Sequence, residues 1–490
     1  MQAMEKPLKI VMQNTSLTSY ALDRVIAEAA DYDILKKVCK EAIDKADFPT
    51  KQFITYGLIK KYLALLWPLV SPRTWKVPLG DDRSENYTND TKALVIPSEE
   101  VIIGAKIKRP TSLKIFSMAG LILKELERKE QFLETFTASP DGKYLATAYC
   151  AGYGADNKID IWDLNTGIII KQLAPEYGWA DKLIITSDNA YLVAHISLGC
   201  RSSGAICVWI LNDGQKVTSF YGRLGDITNN NKYAIDTVFP AIHDLKTGSE
   251  LHRFKESGPR ENIKVISDTI LITSIDRKVY VWDIPSGALR YILEHKAKIE
   301  WGNTLASTDG KYLITTDDSY ASSHNNNYIY IWDLASGKCV KLLSLSLSDK
   351  WKDSIRKPAL QLKAISNDMG FVIVYLNGYT YCPQRELAAY SLVDGTLLHT
   401  LTESDTKNGL NSVTITYDQS AFIAGCSDNA VCLYDTPYVL LKLLSLDEVL
   451  ALLVIEYEYK TKRNFSSWAQ QILVASANIL VKDLLGRYSF

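Results

Sequence analysis

Few residues in this 490-residue chain have the types and spacings that chemistry requires. The six histidines, His195, His243, His252, His295, His324 and His399, are dispersed, with no His-Glu-x-x-His pair or other metal-ligand spacing. The eight cysteines include no Cys-x-x-Cys pair, and several lie in apolar runs where a thiol behaves as a small hydrophobe. They read as reduced thiols, which implies a cytoplasmic protein. No Gly-x-Ser-x-Gly elbow occurs, and Gly152-Tyr-Gly154 is not a phosphate-binding sequence. A hydrolase or lyase would have to assemble its site from separate loops around a central channel, with Asp317, Asp318, His324, His195 and Arg201 as the available groups. No catalytic residue, metal or cofactor is therefore expected.

A second kind of chemistry, recognition of a partner surface, is better supplied. Tyr, Trp and Arg are the types that anchor protein interfaces, because each buries a large area while offering a polar tip. Here they gather in long polar segments: Tyr153, Arg201, Tyr320, His324, Tyr379, Tyr381 and Arg385 between strand-like runs, and Trp179 and Trp351 in the spacers between larger units. These nine form the candidate partner-binding set.

The elements that would hold them repeat. Ile159-Asp-Ile-Trp-Asp-Leu-Asn-Thr-Gly167 reads as a strand and a turn closed by glycine, which supplies the positive φ that a short hairpin loop needs. The phrase returns at Phe116, Trp209, His243, Trp282, Trp332, Tyr390 and Tyr434, at intervals of 34 to 58 residues. Ahead of most copies stands a second hairpin signature: Ser139-Pro-Asp-Gly-Lys-Tyr-Leu and Ser307-Thr-Asp-Gly-Lys-Tyr-Leu are near duplicates. Two hairpins make a four-stranded antiparallel unit. Eight such units of roughly 44 residues fit the span 93–444 and are the favoured count, with seven larger ones as the alternative.

Four short strands with Trp-Asp ending the third resemble the WD-repeat β-propeller family. Trp162-Asp163, Trp282-Asp283 and Trp332-Asp333 match fully; Trp209, Tyr434-Asp435 and His243-Asp244 are variants. The Gly-His pair that opens a repeat is missing, and Glu294-His295 is its nearest relic, so a partial Asp-His-Ser/Thr-Trp network is what the resemblance implies. It also implies that the connections between second and third strands, and between units, share one rim, and that the Trp-Asp residues are structural.

Flanking the array, 1–80 reads as a helical segment and 445–490 as two helices, the first opened by the capping box Ser445-Leu-Asp-Glu448. Together they are expected to form one helical subdomain from both termini, which offers a second interface. Closing the ring needs a strand from the far terminus, and Leu8–Met12 is the sequence candidate. With 55 basic against 56 acidic residues there is no global field for nucleic acid, although the basic stretch 350–357 keeps a nucleic-acid-binding module as an alternative. The most apolar stretch, 53–70, contains Lys60, Lys61 and Pro68, so no membrane span is expected. The leading expectation is a mainly β, non-enzymatic scaffold or adaptor that binds a protein or peptide through the loop-rich rim.

Overall fold

Eight four-stranded antiparallel sheets account for all 32 strands among the described residues of the computed structural model, so the array is an eight-bladed β-propeller. The structure describes Trp67 and residues 75–79, 91–96, 101–106, 113–118, 120–126, 132–150, 157–198, 204–238, 240–254, 262–275, 277–295, 304–316, 328–352, 358–377, 385–402, 410–416, 418–426 and 430–439. The expected helical subdomain from both termini, including Leu8–Met12, lies outside them apart from Trp67 and the short turn Pro437–Val439.

Blade 1 comprises Thr91–Ile96, Val101–Lys106, Leu113–Ser117 and Ile122–Leu126. Blade 2 follows with Phe132–Ala138, Tyr144–Cys150, Lys158–Asp163 and Ile168–Leu173, and blade 3 with Trp179–Ile185, Tyr191–Ser197, Gly204–Ile210 and Lys216–Tyr221. Blade 4 is the most compact: Leu224–Ile227, Tyr233–Asp236, Ala241–Asp244 and Glu250–Arg253. Blade 5 uses Asn262–Ser267, Ile270–Ile275, Lys278–Asp283 and Leu289–Glu294; blade 6 uses Thr304–Ala306, Tyr312–Thr316, Tyr328–Asp333 and Lys338–Ser344. Blade 7 uses Ala359–Ile365, Phe371–Asn377, Arg385–Ser391 and Leu397–Thr402. Blade 8 takes three strands from the far end of the array, Leu410–Ile415, Ala421–Cys426 and Ala430–Asp435, and its fourth from Trp75–Pro78. The first strands of most neighbouring blades pack against one another, which places them at the axis.

Two expectations are corrected here. The ring is closed by Trp75–Pro78, with Val77 opposite Val431 and Trp75 opposite Leu433, rather than by Leu8–Met12. The array therefore begins before residue 93, and the last residues assigned to the helical segment 1–80 are strand. Propensity explains the slip: Trp75-Lys-Val-Pro78 is only four residues long and ends in proline, which sheets accept at an edge, where no ladder N–H is needed.

The core lies between blades. Ala146, Ile159 and Ile161 of blade 2 pack with Leu183, Leu192 and Trp209 of blade 3, and Ile314, Ile329 and Ile331 of blade 6 pack with Leu362, Val374 and Tyr390 of blade 7. Second and third strands, covered on both faces, are nearly continuous in burial, whereas the outer strand Ile168–Leu173 alternates exposed and half-buried. Each blade buries its Trp-position residue: Phe116, Tyr390 and Tyr434 are fully buried, and Trp162, Trp209, His243, Trp282 and Trp332 nearly so. In three blades the indole Nε1–H donates to a second-strand threonine: Trp162 to Thr147 at 2.8 Å, Trp282 to Thr273 at 3.0 Å and Trp332 to Thr315 at 2.8 Å. In blade 6, His295 Nε2 lies 3.0 Å from the same Thr315 hydroxyl, so the one relic histidine does join the network. Blade 3 has Ala194 where those threonines stand.

The aspartates after the tryptophans hold the next turn. Asp163 accepts from the Thr166 N–H at 2.8 Å, and Asp283 from the Ser286 N–H at 3.0 Å and its hydroxyl at 2.6 Å. The turns between first and second strands are tied the same way, Ser139 to Asp141 at 2.7 Å and Ser307 to Asp309 at 2.6 Å.

Candidate functional site

Antiparallel connectivity sorts every loop onto one of two rims. The turns joining first to second and third to fourth strands fall together, and most are short and internally bonded. The opposite rim takes the connections between second and third strands and those between blades, including 151–157, 198–203, 317–327 and 378–384. Of the nine expected partner-binding residues, Tyr153, Arg201, Tyr320, His324, Tyr379 and Tyr381 lie outside the described residues.

The other three are placed. Trp179 begins the first strand of blade 3, opposite Ser197, and is half-buried at that rim. Arg385 begins the third strand of blade 7, opposite Asn377, also half-buried there. Trp351 sits in a one-turn helix, Asp349–Lys352, and is fully buried. Its indole donates to Glu386 Oε2 at 3.0 Å, where the Ser348 hydroxyl also donates at 2.8 Å, and its ring packs with Leu345 and Leu360. Trp351 thus anchors the blade 6–7 crossing, and its indole is not presented to a partner. The sequence misplaced it because buried and interface tryptophans look alike in a spacer.

His195 meets one partner. Its Nδ1 lies 2.6 Å from Asp181 Oδ1, the bulge residue of the first strand of blade 3, while Nε2 is buried with no hydrogen-bond partner. Gly204 closes over that nitrogen, so a substrate cannot reach it in this conformation. Asp317, Asp318, Arg201 and His324 lie outside the described residues. Among the described residues no group of three His, Cys, Asp or Glu side chains is placed to hold a metal ion, and no helix is long and apolar enough to cross a membrane.

The axial wall carries charges that sequence reading passed over. Lys92, Lys182, Lys264 and Lys363 sit on the first strands of blades 1, 3, 5 and 7, all half-buried. Three reach forward to the next blade: Lys92 Nζ donates to the Phe136 carbonyl at 2.7 Å and faces the Thr135 hydroxyl at 3.4 Å, Lys182 donates to the Gly225 carbonyl, and Lys264 to the Thr304 carbonyl at 3.3 Å. Lys363 lies over the Tyr375 ring, 5.4 Å from its centroid. Burial pushes the Lys92 ammonium down to about 8, with Lys182 adding repulsion, and lowers the other three. Burial raises the Asp226 carboxyl on the first strand of blade 4, although Lys182 opposes that shift. The signal was present in the sequence as single charges inside apolar runs, such as Ala180-Asp-Lys-Leu-Ile-Ile185 and Leu360-Gln-Leu-Lys-Ala-Ile365.

No protein-family profile matches this chain, and no curated protein matches it. Among solved structures it is similar to the crystal structure of the computationally designed Ika8 protein, with a TM-score of 0.53 and 13% identity, covering 72% of this chain and 98% of that one. At that identity the likeness speaks to the fold alone: the chain is an eight-bladed β-propeller.

Proposed function

We propose that this protein is a non-enzymatic adaptor of the WD-repeat type that presents its loop-bearing rim to a protein or peptide partner in the cytoplasm. The observation that supports the reading is the inequality of the rims. One is made of short turns tied by their own Asp, Ser and Thr side chains, while the other collects the long connections rich in Tyr and Arg. A rigid ring that frees one face for variable loops is the arrangement in which binding residues concentrate. Cys207 and Cys339 carry free thiols, in keeping with a reducing compartment.

The test is affinity capture with intact protein against a variant carrying Tyr320→Ala, His324→Ala, Tyr379→Ala and Arg385→Ala. Loss of a reproducible set of partners, with an unchanged melting temperature, supports the rim. Identical partners on both baits would overturn it.

A further inference from the structure

At its loop-bearing end, blade 3 gathers Tyr177, Trp179, Leu198, Tyr221 and Arg223. Backbone pairing sets their order. Trp179, Ser197 and Gly204 stand opposite one another across the first three strands, and the Gly222 N–H donates to the Gly204 carbonyl at 3.1 Å, which brings the end of the fourth strand into the same row. The row runs from Trp179 at the axial side to Tyr221 at the outer edge. Tyr177 and Arg223 lie in the crossings that enter and leave the blade, and Leu198 directly follows Ser197.

These side chains face solvent on a fixed backbone. Tyr177 is 74% exposed, Tyr221 57% and Leu198 44%, Arg223 is exposed, and Trp179 is half-buried. The Asn157 amide holds the entering crossing by donating to the Gly178 carbonyl at 2.7 Å, and the Arg223 N–H holds the leaving one by donating to Asp236 Oδ1 at 2.9 Å. Tyrosines on a preorganised backbone bury a large area at a small ordering cost.

Charge names the partner. The Arg223 guanidinium forms no ion pair among the described residues. The carboxylates on the adjoining segments are engaged elsewhere: Glu176 with Lys216 at 2.9 Å, Asp181 with His195 at 2.6 Å, Asp226 with the Ile227 N–H at 2.9 Å, and Asp236 with the N–H groups of Arg223 and Val238 at 2.9 Å each. An exposed arginine beside tyrosine, with no acid of its own, is complementary to a carboxylate that adjoins an apolar side chain.

We propose that this end of blade 3 binds an acidic peptide, with a carboxylate on Arg223, a neighbouring apolar side chain against Tyr221, and the rest of the peptide running along the row toward Trp179. The proposal rests on the reading of the loop-bearing rim as a binding face and narrows it to one sector and one partner chemistry.

The experiment is selection of a random-peptide display library on the full chain, followed by titration of the selected peptides by fluorescence polarisation. Enrichment of peptides with Asp or Glu next to an aromatic or aliphatic residue is expected. Their affinity should fall at least about tenfold with Arg223→Glu or Tyr221→Ala, at unchanged melting temperature. It should be largely retained in Arg223→Lys and fully retained in Lys232→Glu, which makes the same charge change in a turn on the opposite rim. Reselection on Arg223→Glu should yield basic peptides. Equal affinity for wild type and Arg223→Glu would overturn the proposal, as would a selection that enriches no acidic peptide. Acidic peptides that ignore Arg223 but are lost from the variant altered at Tyr320, His324, Tyr379 and Arg385 would remove this sector and leave the rim reading standing.

Discussion

At the scale of the residue, this molecule uses its charged side chains mostly to hold backbone. Asp283 is the strongest case: the Ser286 hydroxyl and N–H and the Arg290 guanidinium, whose Nε stands at 3.0 Å, keep its carboxyl down at about 2. A carboxyl depressed on folding stabilises the protein above the ordinary aspartate range and loses that contribution as pH falls toward 2. Asp283→Asn is therefore expected to lower stability by about 1 kcal/mol at pH 7 and to cost less with each step below pH 4, as urea unfolding would show.

Lys92 gives the same sign of dependence in a different pH window and from a different cause, burial of its ammonium. Its ammonium is pushed down to about 8 in the fold, so between pH 8 and its ordinary value near 10.5 the unfolded chain binds a proton that the folded one does not. Wild-type stability should rise relative to Lys92→Met across that window, by an amount on the order of 1 kcal/mol. Parallel urea titrations at pH 7, 8, 9 and 10 check this, and a constant difference would contradict it.

At the scale of the element, the turn after each Trp-Asp pair does two jobs. Its glycine takes the left-handed conformation, and it also faces the preceding blade closely. At Gly395, with φ of +77°, a β-carbon would stand 2.6 Å from the Ser344 carbonyl oxygen, a backbone atom that cannot swing aside. By contrast, at Gly310, in the turn between the first and second strands of blade 6, with φ of +68°, the nearest atom would be 3.4 Å away, so only the conformational strain applies. Gly395→Ala is expected to destabilise by about 2 to 4 kcal/mol and Gly310→Ala by about 1 kcal/mol. Thermal melts of the two variants side by side would test the ordering.

These elements also mark what the sequence made legible. The Trp-Asp-x-x-x-Gly phrase exposed the repeat because its residues answer to local rules, a turn bond and a positive φ. It even recovered blade 1 from Phe116 and the count of eight. Trp75–Pro78 escaped because a four-residue strand has no period of its own, and its place is set by a partner at the other end of the array. The lysine wall escaped for a related reason. Lys92, Thr135 and Lys182 stand 43 to 90 positions apart in sequence, and only the ring brings them to one wall. Trp351 carried a legible residue type but not its burial.

At the scale of the whole molecule, closure rests on the pairing of Trp75–Pro78 with Ala430–Asp435. Val77 and Val431 are directly opposite, so Val77→Cys with Val431→Cys is expected to form a cross-link on oxidation, detectable by peptide mapping. Because that bond would span the array, it should raise stability by on the order of 3 kcal/mol over the reduced form. Failure to oxidise under conditions that leave the native far-ultraviolet signal intact would argue against the closing strand.

The same pairing sets a timetable. Val77 leaves the ribosome 354 residues before Val431, the residue it must face. At synthesis rates of about 5 to 20 residues per second, the closing strand waits roughly 20 to 70 s for its partner. Blades 1 to 7 can pair internally as they emerge, each from consecutive hairpins. Blade 8 cannot, and until it does blade 1 has no neighbour on one side, leaving Ala93, Ile102 and Phe116 without the Ile423, Val431 and Leu433 they pack against. During that interval the nascent chain is an open arc with two sticky ends, which makes it a natural client for a chaperone that shields apolar edges until translation is finished.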